Sequence, residues 1–319
     1  MKLGDIAGLA RSIRENVEKV IIPTGDTLDL LLTALIAGGH VLLDDVPGTG
    51  KTTLVVALSR ALGLTHVRVQ FTPDVLPSDL IGFSVYDREK GDFTYRPGAL
   101  NKAGLLLADE INRASGKTQS ALLEAMEERQ VTVDGHTYPL PEPFLVIATQ
   151  NSVGAAGTQP LPYAQMDRFL VRLSVGYPDP EAWMTLLRDR QGTNPLDSVR
   201  PVVSRESLLA MQEEVRKVTS RDAVLDYIVR LSVASREHEK VAVGISPRGA
   251  LFLDRAAKAR AWLEGRDYVT GQDVRAVFPD VCAHRVLLKE EAQGTVEEVL
   301  QDLLRKVENP DRRSRLGEP

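Results

Sequence analysis

Five short apolar runs punctuate the first half of the chain: "HVLLDD" (40–45), "THVRVQF" (65–71), "GLLLAD" (104–109), "FLVIATQN" (144–151) and "FLVRLSV" (169–175). Several are almost continuously apolar, as strands buried on both faces must be. Segments with helical spacing separate them, among them "TTLVVALSRALG", which stops at Gly63. This alternation predicts a parallel sheet covered by helices. Two stretches break the rhythm: "FSVYDREKGDFTYRPG" (83–98) and "RQVTVDGHTYPL" (129–140) alternate around polar turns, the second at Asp134-Gly135. Each predicts a β-hairpin, exposed and polar-tipped rather than part of the core. After the prolines of "GYPDPEAW" the period changes. From about 180 to 308, six segments carry apolar residues at three- and four-residue spacing, several opened by Ser or Thr. The expected organisation is an α/β core over 1–178, a helical domain over 179–308 and a solvated tail over 309–319.

Composition narrows the possibilities without changing that picture. With 319 residues, 43% apolar and 26% charged, the chain is long enough for one large domain or two with a buried core. A net charge of −5 argues against a protein built mainly to hold nucleic acid. The single cysteine, Cys282, rules out an internal disulfide and fits a reducing compartment. No run approaches the roughly 20 apolar residues a membrane span needs. The opening "MKLGDIAGLARSIRENVEK" has charges where a secretory signal needs an apolar core, so cytoplasm is the default. The five histidines lack metal-ligand spacing.

The chemistry concentrates behind two of the apolar runs. "DDVPGTGKTT" follows the first and opens a helix, the order a phosphate cradle requires: backbone N–H groups and a helix N-terminus face the anion. Gly48 and Gly50 allow close approach, Lys51 would reach the β- and γ-phosphates, and Thr52 would offer its hydroxyl to Mg²⁺. The general pattern opens on glycine, whereas Asp45 stands here. A carboxylate pointing inward would cost several kcal/mol against phosphate, so the loop works only if Asp45 faces away or is paired with a cation. An ordinary glycine turn is the alternative. The nucleotide-binding stretch is taken as Asp45, Val46, Pro47, Gly48, Thr49, Gly50, Lys51, Thr52 and Thr53, together with Asp109. In "LLLADEINRA" an apolar strand delivers Asp109 and Glu110 at its C-terminal end, where open α/β sheets bind ligands. Asp109 would share the Mg²⁺ shell with Thr52, and Glu110 would polarise the attacking water. The alternative is a solvated acidic pair capping a strand.

"ADEINRASGKTQSALLEAMEERQVTVDG" (108–135) closely resembles the MoxR family of AAA+ ATPases. So do "VQFTPDVLPSDLIG" (69–82), "ATQN" (148–151), "LPYAQMDRFLVRL" (161–173) and "ISPRGAL" (245–251). The resemblance reaches from the N-terminal helix to about residue 290. It implies a P-loop AAA+ core of the α/β class, with a parallel five-stranded sheet of order 5-1-4-3-2 and a C-terminal α-helical lid. It also implies a ring, usually a hexamer, with ATP between subunits. Asp at the loop's opening position occurs in the family.

The resemblance gives further residues roles. Asn151 matches sensor 1, which bonds the water or γ-phosphate; a strand-end turn former is the plainer reading. Arg168 resembles the arginine finger that reaches a neighbour's site, with Arg113 as rival and a surface ion pair as the bland alternative. Arg248 looks like sensor 2, contacting the γ-phosphate of its own chain. Val20 to Ile22, with Gly25, stand where base contacts are made, although Pro23 and Asp26 depart from the usual pattern. The expected function is Mg²⁺-dependent ATP hydrolysis that remodels, assembles or matures a partner protein, in chaperone-like work or metal insertion. A client with a von Willebrand factor A domain is the implied partner. A nucleic-acid translocase is the first rival, disfavoured by the mixed charge of the hairpin tips; a non-hydrolysing nucleotide-gated scaffold is the second.

Overall fold

The five apolar runs lie side by side at the centre of the molecule. The computed structural model describes residues 3–21, 26–46, 48–150, 161–177, 180–189 and 194–311. The chain begins with α1 (Leu3–Glu18), α2 (Thr27–Ile36), β1 (Val41–Asp44), α3 (Lys51–Ala61) and β2 (His66–Gln70). Next come α4 (Pro77–Ile81), the hairpin β3 (Phe83–Asp87) and β4 (Asp92–Arg96), β5 (Leu105–Asp109) and α5 (Gly116–Glu128). A second hairpin, β6 (Gln130–Val133) and β7 (His136–Pro139), precedes β8 (Leu145–Gln150), α6 (Tyr163–Met166), β9 (Val171–Leu173) and α7 (Pro180–Asp189).

The sheet runs β2-β5-β8-β1-β9, every pairing parallel. Numbering its five strands along the chain gives the expected 5-1-4-3-2. The strands alternate between two cores, as the two-residue period requires. Leu42, Leu106, Val146 and Ala148 face α4 and α5. Val41, Leu43, Leu107 and Ile147 face α1 to α3 and the C-terminal helices, in a second cluster that runs on to Leu304. β5 is buried along its whole length, whereas the edge strand β2 is half-exposed.

The C-terminal part holds α8 (Arg205–Lys217), α9 (Asp222–Glu237), β10 (Val241–Val243), α10 (Pro247–Leu263), α11 (Gly271–Cys282), β11 (Leu287–Leu288) and α12 (Val296–Lys306). Ser204, Ser246, Thr270 and Thr295 each cap a helix by accepting a first-turn backbone N–H. The antiparallel pair β10–β11 is a departure from the all-helical reading. Two- and three-residue strands are too short to show alternation.

The hairpins also depart from a purely polar, exposed reading. Val131 and Val133 of β6 are buried, Val131 in the core beside Leu122, because alternate residues of this hairpin face inward. The first hairpin exposes apolar side chains instead: Phe83, Val85, Tyr86 and Phe93 are all at least 41% accessible. The two hairpins are joined by Tyr95 of β4, whose ring stacks on Tyr138 of β7 at 3.8 Å and 12°.

Candidate active site

The cradle forms where β1 ends and α3 begins. Gly48 and Gly50 have φ of 87° and 84°, the left-handed region open to glycine. A Cβ on Gly50 would also lie 2.8 Å from Ile21 Cδ1, a side-chain end that can shift, so the positive φ is what reserves this position for glycine. Lys51 starts α3 and is buried, its Nζ donating to the carbonyls of Val46 (2.8 Å) and Asp45 (3.1 Å). The loop's own oxygens thus hold the ammonium at the helix N-terminus, where an anion is favoured. Burial lowers the Lys51 pKa, opposed by the negative fields of Asp45, Asp109, Asp44 and Glu110. Cradle lysine and acid pair therefore share one end of the sheet.

Asp45 does not point into the cradle. Its Oδ2 accepts backbone N–H bonds from Val175 and Gly176, both 2.9 Å, and Oδ1 accepts from Val46 at 2.8 Å. Only 8% of the residue is accessible. The expectation that Asp45 belongs to the nucleotide-contacting set is corrected for its side chain. That carboxylate ties the loop to the segment leaving β9, and only the backbone remains at the loop. Asp44 is bound to Arg172 of β9 at 3.0 Å.

β5 ends on Asp109, and Glu110 follows in the left-handed conformation at φ 57°. Between β5 and β1 lies β8, which supplies a residue that motif reading missed. The fully buried Thr149 hydroxyl donates to Asp109 Oδ1 (2.7 Å) and accepts from the Glu110 N–H (2.8 Å). One hydroxyl sets both acids. Arg68 of the edge strand holds Asp109 Oδ2 through two nitrogens, at 2.7 and 3.2 Å. Arg113 holds Glu110 Oε2 at 3.0 Å. The rival finger candidate thus sits against the acid of its own chain. Thr149 lies in the "ATQN" stretch, yet neither it nor Arg68 had a role in the sequence reading, because each acquires its partner only when separate strands pair.

The Thr52 hydroxyl and the Asp109 carboxylate are hard oxygen donors of the kind Mg²⁺ takes, usually one or two protein groups completed by phosphates and water. Asp109 already accepts two partners, yet a carboxylate offers about four lone-pair sites. Among the described residues no cluster of three or more His, Cys, Asp or Glu could hold a metal by itself.

The remaining arginines lie elsewhere. Arg168 Nε donates to Glu127 Oε2 at 2.9 Å, and Arg248 Nη2 donates to Oε1 of the same carboxylate. Glu127 is on the last turn of α5, whose first turn adjoins the acid pair. From Gly116 to Glu127 a helix rises on the order of 16 Å, well beyond the reach of an arginine side chain. Neighbouring contacts agree: Leu170 N–H bonds His40 O, and Arg129 reaches Gly38 O, all at the strands' N-terminal ends. Here Arg248, expected to contact a γ-phosphate bound by its own chain, is held by Glu127 away from that chain's cradle. α10 starts at the opposite end of the strands. Asn151, Pro47 and the proposed base contacts Ile22 and Gly25 lie outside the described residues. Val20 and Ile21 are buried, with Ile21 against Gly50.

A second missed residue fixes the turn that carries Arg168. Arg285 is fully buried and donates from Nε to Asp167 Oδ1 (2.8 Å), and from Nη2 to the carbonyls of Asp167 (3.0 Å) and Phe169 (2.5 Å). Ser246, the cap of α10, bonds Asp167 Oδ2 at 3.4 Å.

A parallel sheet of this order, with a cradle at one end and a helical lid, defines an ATPase of the AAA+ class. A model of the ATPase family associated with various cellular activities (AAA) matches residues 40–171, and an AAA lid domain model matches 233–303. The chain is 44% identical to the uncharacterized protein YeaC of Bacillus subtilis, over 97% of this chain and 98% of that one. It is 42% identical to the chaperone MoxR1 of Mycobacterium tuberculosis, over 90% of this chain and 78% of that one. A crystal structure of a provisionally named ATPase from Cytophaga hutchinsonii superposes with a TM-score of 0.87 at 38% identity, covering 96% of both chains. The chain belongs to the MoxR family of AAA+ ATPases.

Proposed function

We propose that this protein hydrolyses ATP in a ring of its own copies, with each site shared by two subunits, and uses the cycle to remodel or mature a partner protein. One observation carries the reading: Lys51 and the Asp109–Glu110 pair meet at the C-terminal ends of the strands while Arg168 and Arg248 are held together at the N-terminal ends. A lone subunit cannot bring its arginines to its own cradle. A neighbour placed edge to edge can. Glycine-loop N–H groups and Lys51 would take the β- and γ-phosphates, with Mg²⁺ between Thr52 and Asp109. When bound, the metal neutralises charge on the phosphate oxygens. Glu110, aimed by Thr149 and Arg113, would accept a proton from the attacking water. Arg168 and Arg248 of the adjoining subunit would then stabilise the transferring phosphoryl group. The stacked Tyr95–Tyr138 pair joins the two hairpins, so that they would move as one body against a client.

The test uses Glu110→Gln and Arg168→Ala. Each should bind ATP yet turn it over at least about 100-fold more slowly, and mixed rings should recover part of the activity. Slow turnover in both variants without recovery in assembled mixed rings would remove the shared site. Proteins retained by ATP-loaded Glu110→Gln on a column would identify the client.

A further inference from the structure

We infer that Glu127 is the positioning residue that sets Arg168 and Arg248 as one unit for the neighbouring subunit's phosphates. The inference rests on the shared-site reading and adds a residue that no motif assigns. Two guanidinium groups side by side repel one another, and each long side chain has many rotamers to lose. Glu127 answers both problems with one carboxylate, Oε2 to Arg168 and Oε1 to Arg248. It stands on α5, a helix capped by Ser115 and packed through Leu122, Leu123 and Met126 into the core, so the anchor itself is rigid.

The way each arginine is held leaves it able to act. Arg168 is bound through Nε, and its terminal nitrogens bond no described residue; its side chain remains 30% accessible. Arg248 is bound through Nη2 and is 40% accessible. Each is gripped along one edge and open along another. Glu127 leaves both terminal nitrogens of Arg168 to a phosphate, and covers only Nη2 of the terminal pair of Arg248. The surroundings favour a further anion: among the described residues Glu127 is the one carboxylate lining a cleft of about 300 Å³ that also takes in Arg129, Arg168, Arg248 and Arg255. The bonds from Arg168, chiefly, and from Arg248 hold the Glu127 carboxyl below its usual range against the opposing effect of burial, so it remains an anion when they are engaged. Behind them, Asp167 and the buried Arg285 fix the backbone on which Arg168 stands.

The experiment compares Glu127→Ala, Glu127→Asp, Arg168→Ala and the double variant Glu127→Ala/Arg168→Ala in full-length assembled protein. Glu127→Ala should lower kcat about 10- to 100-fold, the range that misplaced catalytic groups produce, with ATP affinity and melting temperature unchanged. Glu127→Asp should restore part of it. The double variant should be slower than Arg168→Ala by less than the factor Glu127→Ala causes alone, because only the Arg248 half of the Glu127 role is left to lose. Parental kcat in Glu127→Ala, a rise in kcat, or a double variant slowed by the product of the two single effects would each overturn the inference. If Arg168→Ala is slow while Glu127→Ala is normal, only the Glu127 role fails. If Arg168→Ala is itself fully active, the shared-site reading fails with it.

Discussion

Replacing Asp45 by glycine would restore the general phosphate-loop pattern, yet the structure calls for damage rather than improvement. The Asp45 carboxylate accepts three backbone N–H groups, from Val46, Val175 and Gly176, within 2.8–2.9 Å. Val175 is 2% accessible, so its N–H has no easy recourse to water. Leaving a buried donor unmade costs about 1–3 kcal/mol. Gly176 is partly buried and should lose less, while the Val46 N–H at the loop mouth can be rehydrated. A glycine at this position adds roughly 0.5–1 kcal/mol of backbone entropy. Together these give a loss on the order of 3 kcal/mol, a large share of the roughly 5–15 kcal/mol that holds an ordinary domain. One effect runs the other way: removing a negative charge near the cradle favours an anionic ligand. With Oδ2 turned to Val175 and Gly176, that gain should be the smaller. Denaturant unfolding gives the stability and calorimetry the ATP affinity. Asp45→Gly should unfold at lower denaturant and bind ATP no more tightly, and Asp45→Asn, which keeps an acceptor oxygen, should fall between. An Asp45→Gly protein as stable as the parent, with tighter ATP binding, would refute the reasoning.

Further consequences can be measured on the same protein. Thr149→Val keeps the shape but removes the hydroxyl between Asp109 and the Glu110 N–H; kcat should fall at least about tenfold with little change in ATP affinity, and an unaltered kcat in steady-state assay would count against the bridge. Burial, reinforced by Asp26, pushes the Asp280 carboxyl from 3.8 up to about 6. The folded chain holds that proton more tightly than the unfolded chain, so its stabilising contribution is full below about pH 4 and is lost as pH rises through about 6. Asp280→Asn should therefore gain on the order of 1–3 kcal/mol at pH 7, allowing for partial solvent exposure, and flatten the stability profile between pH 4 and 6. Equal profiles for parent and variant in denaturant titrations would contradict this. Breaking the ring stack with Tyr138→Ala should leave ATP binding intact while loosening the first hairpin, visible as faster amide exchange across residues 83–96.

The five sheet strands, both hairpins, the capped C-terminal helices and the two chemical stretches could be read from the chain because each is written locally, whereas the sheet order came from the family resemblance. Apolar runs mark strands buried on both faces, Ser and Thr mark helix starts, and Gly48, Gly50 and Lys51 must be adjacent to make a cradle. The resemblance then linked these stretches into a family. Which way Asp45 points was not legible, since its partners Val175 and Gly176 lie 130 and 131 residues away. The roles of Thr149 and Arg68 were hidden for the same reason: a hydroxyl or a guanidinium has no role until strand pairing sets it beside Asp109. Arg248 shows the limit most clearly. Its motif was visible, but its end of the sheet depends on where α10 docks, and that is decided by packing among helices far apart in the chain. Local chemistry is set by neighbours in sequence; direction and distance are set by the fold.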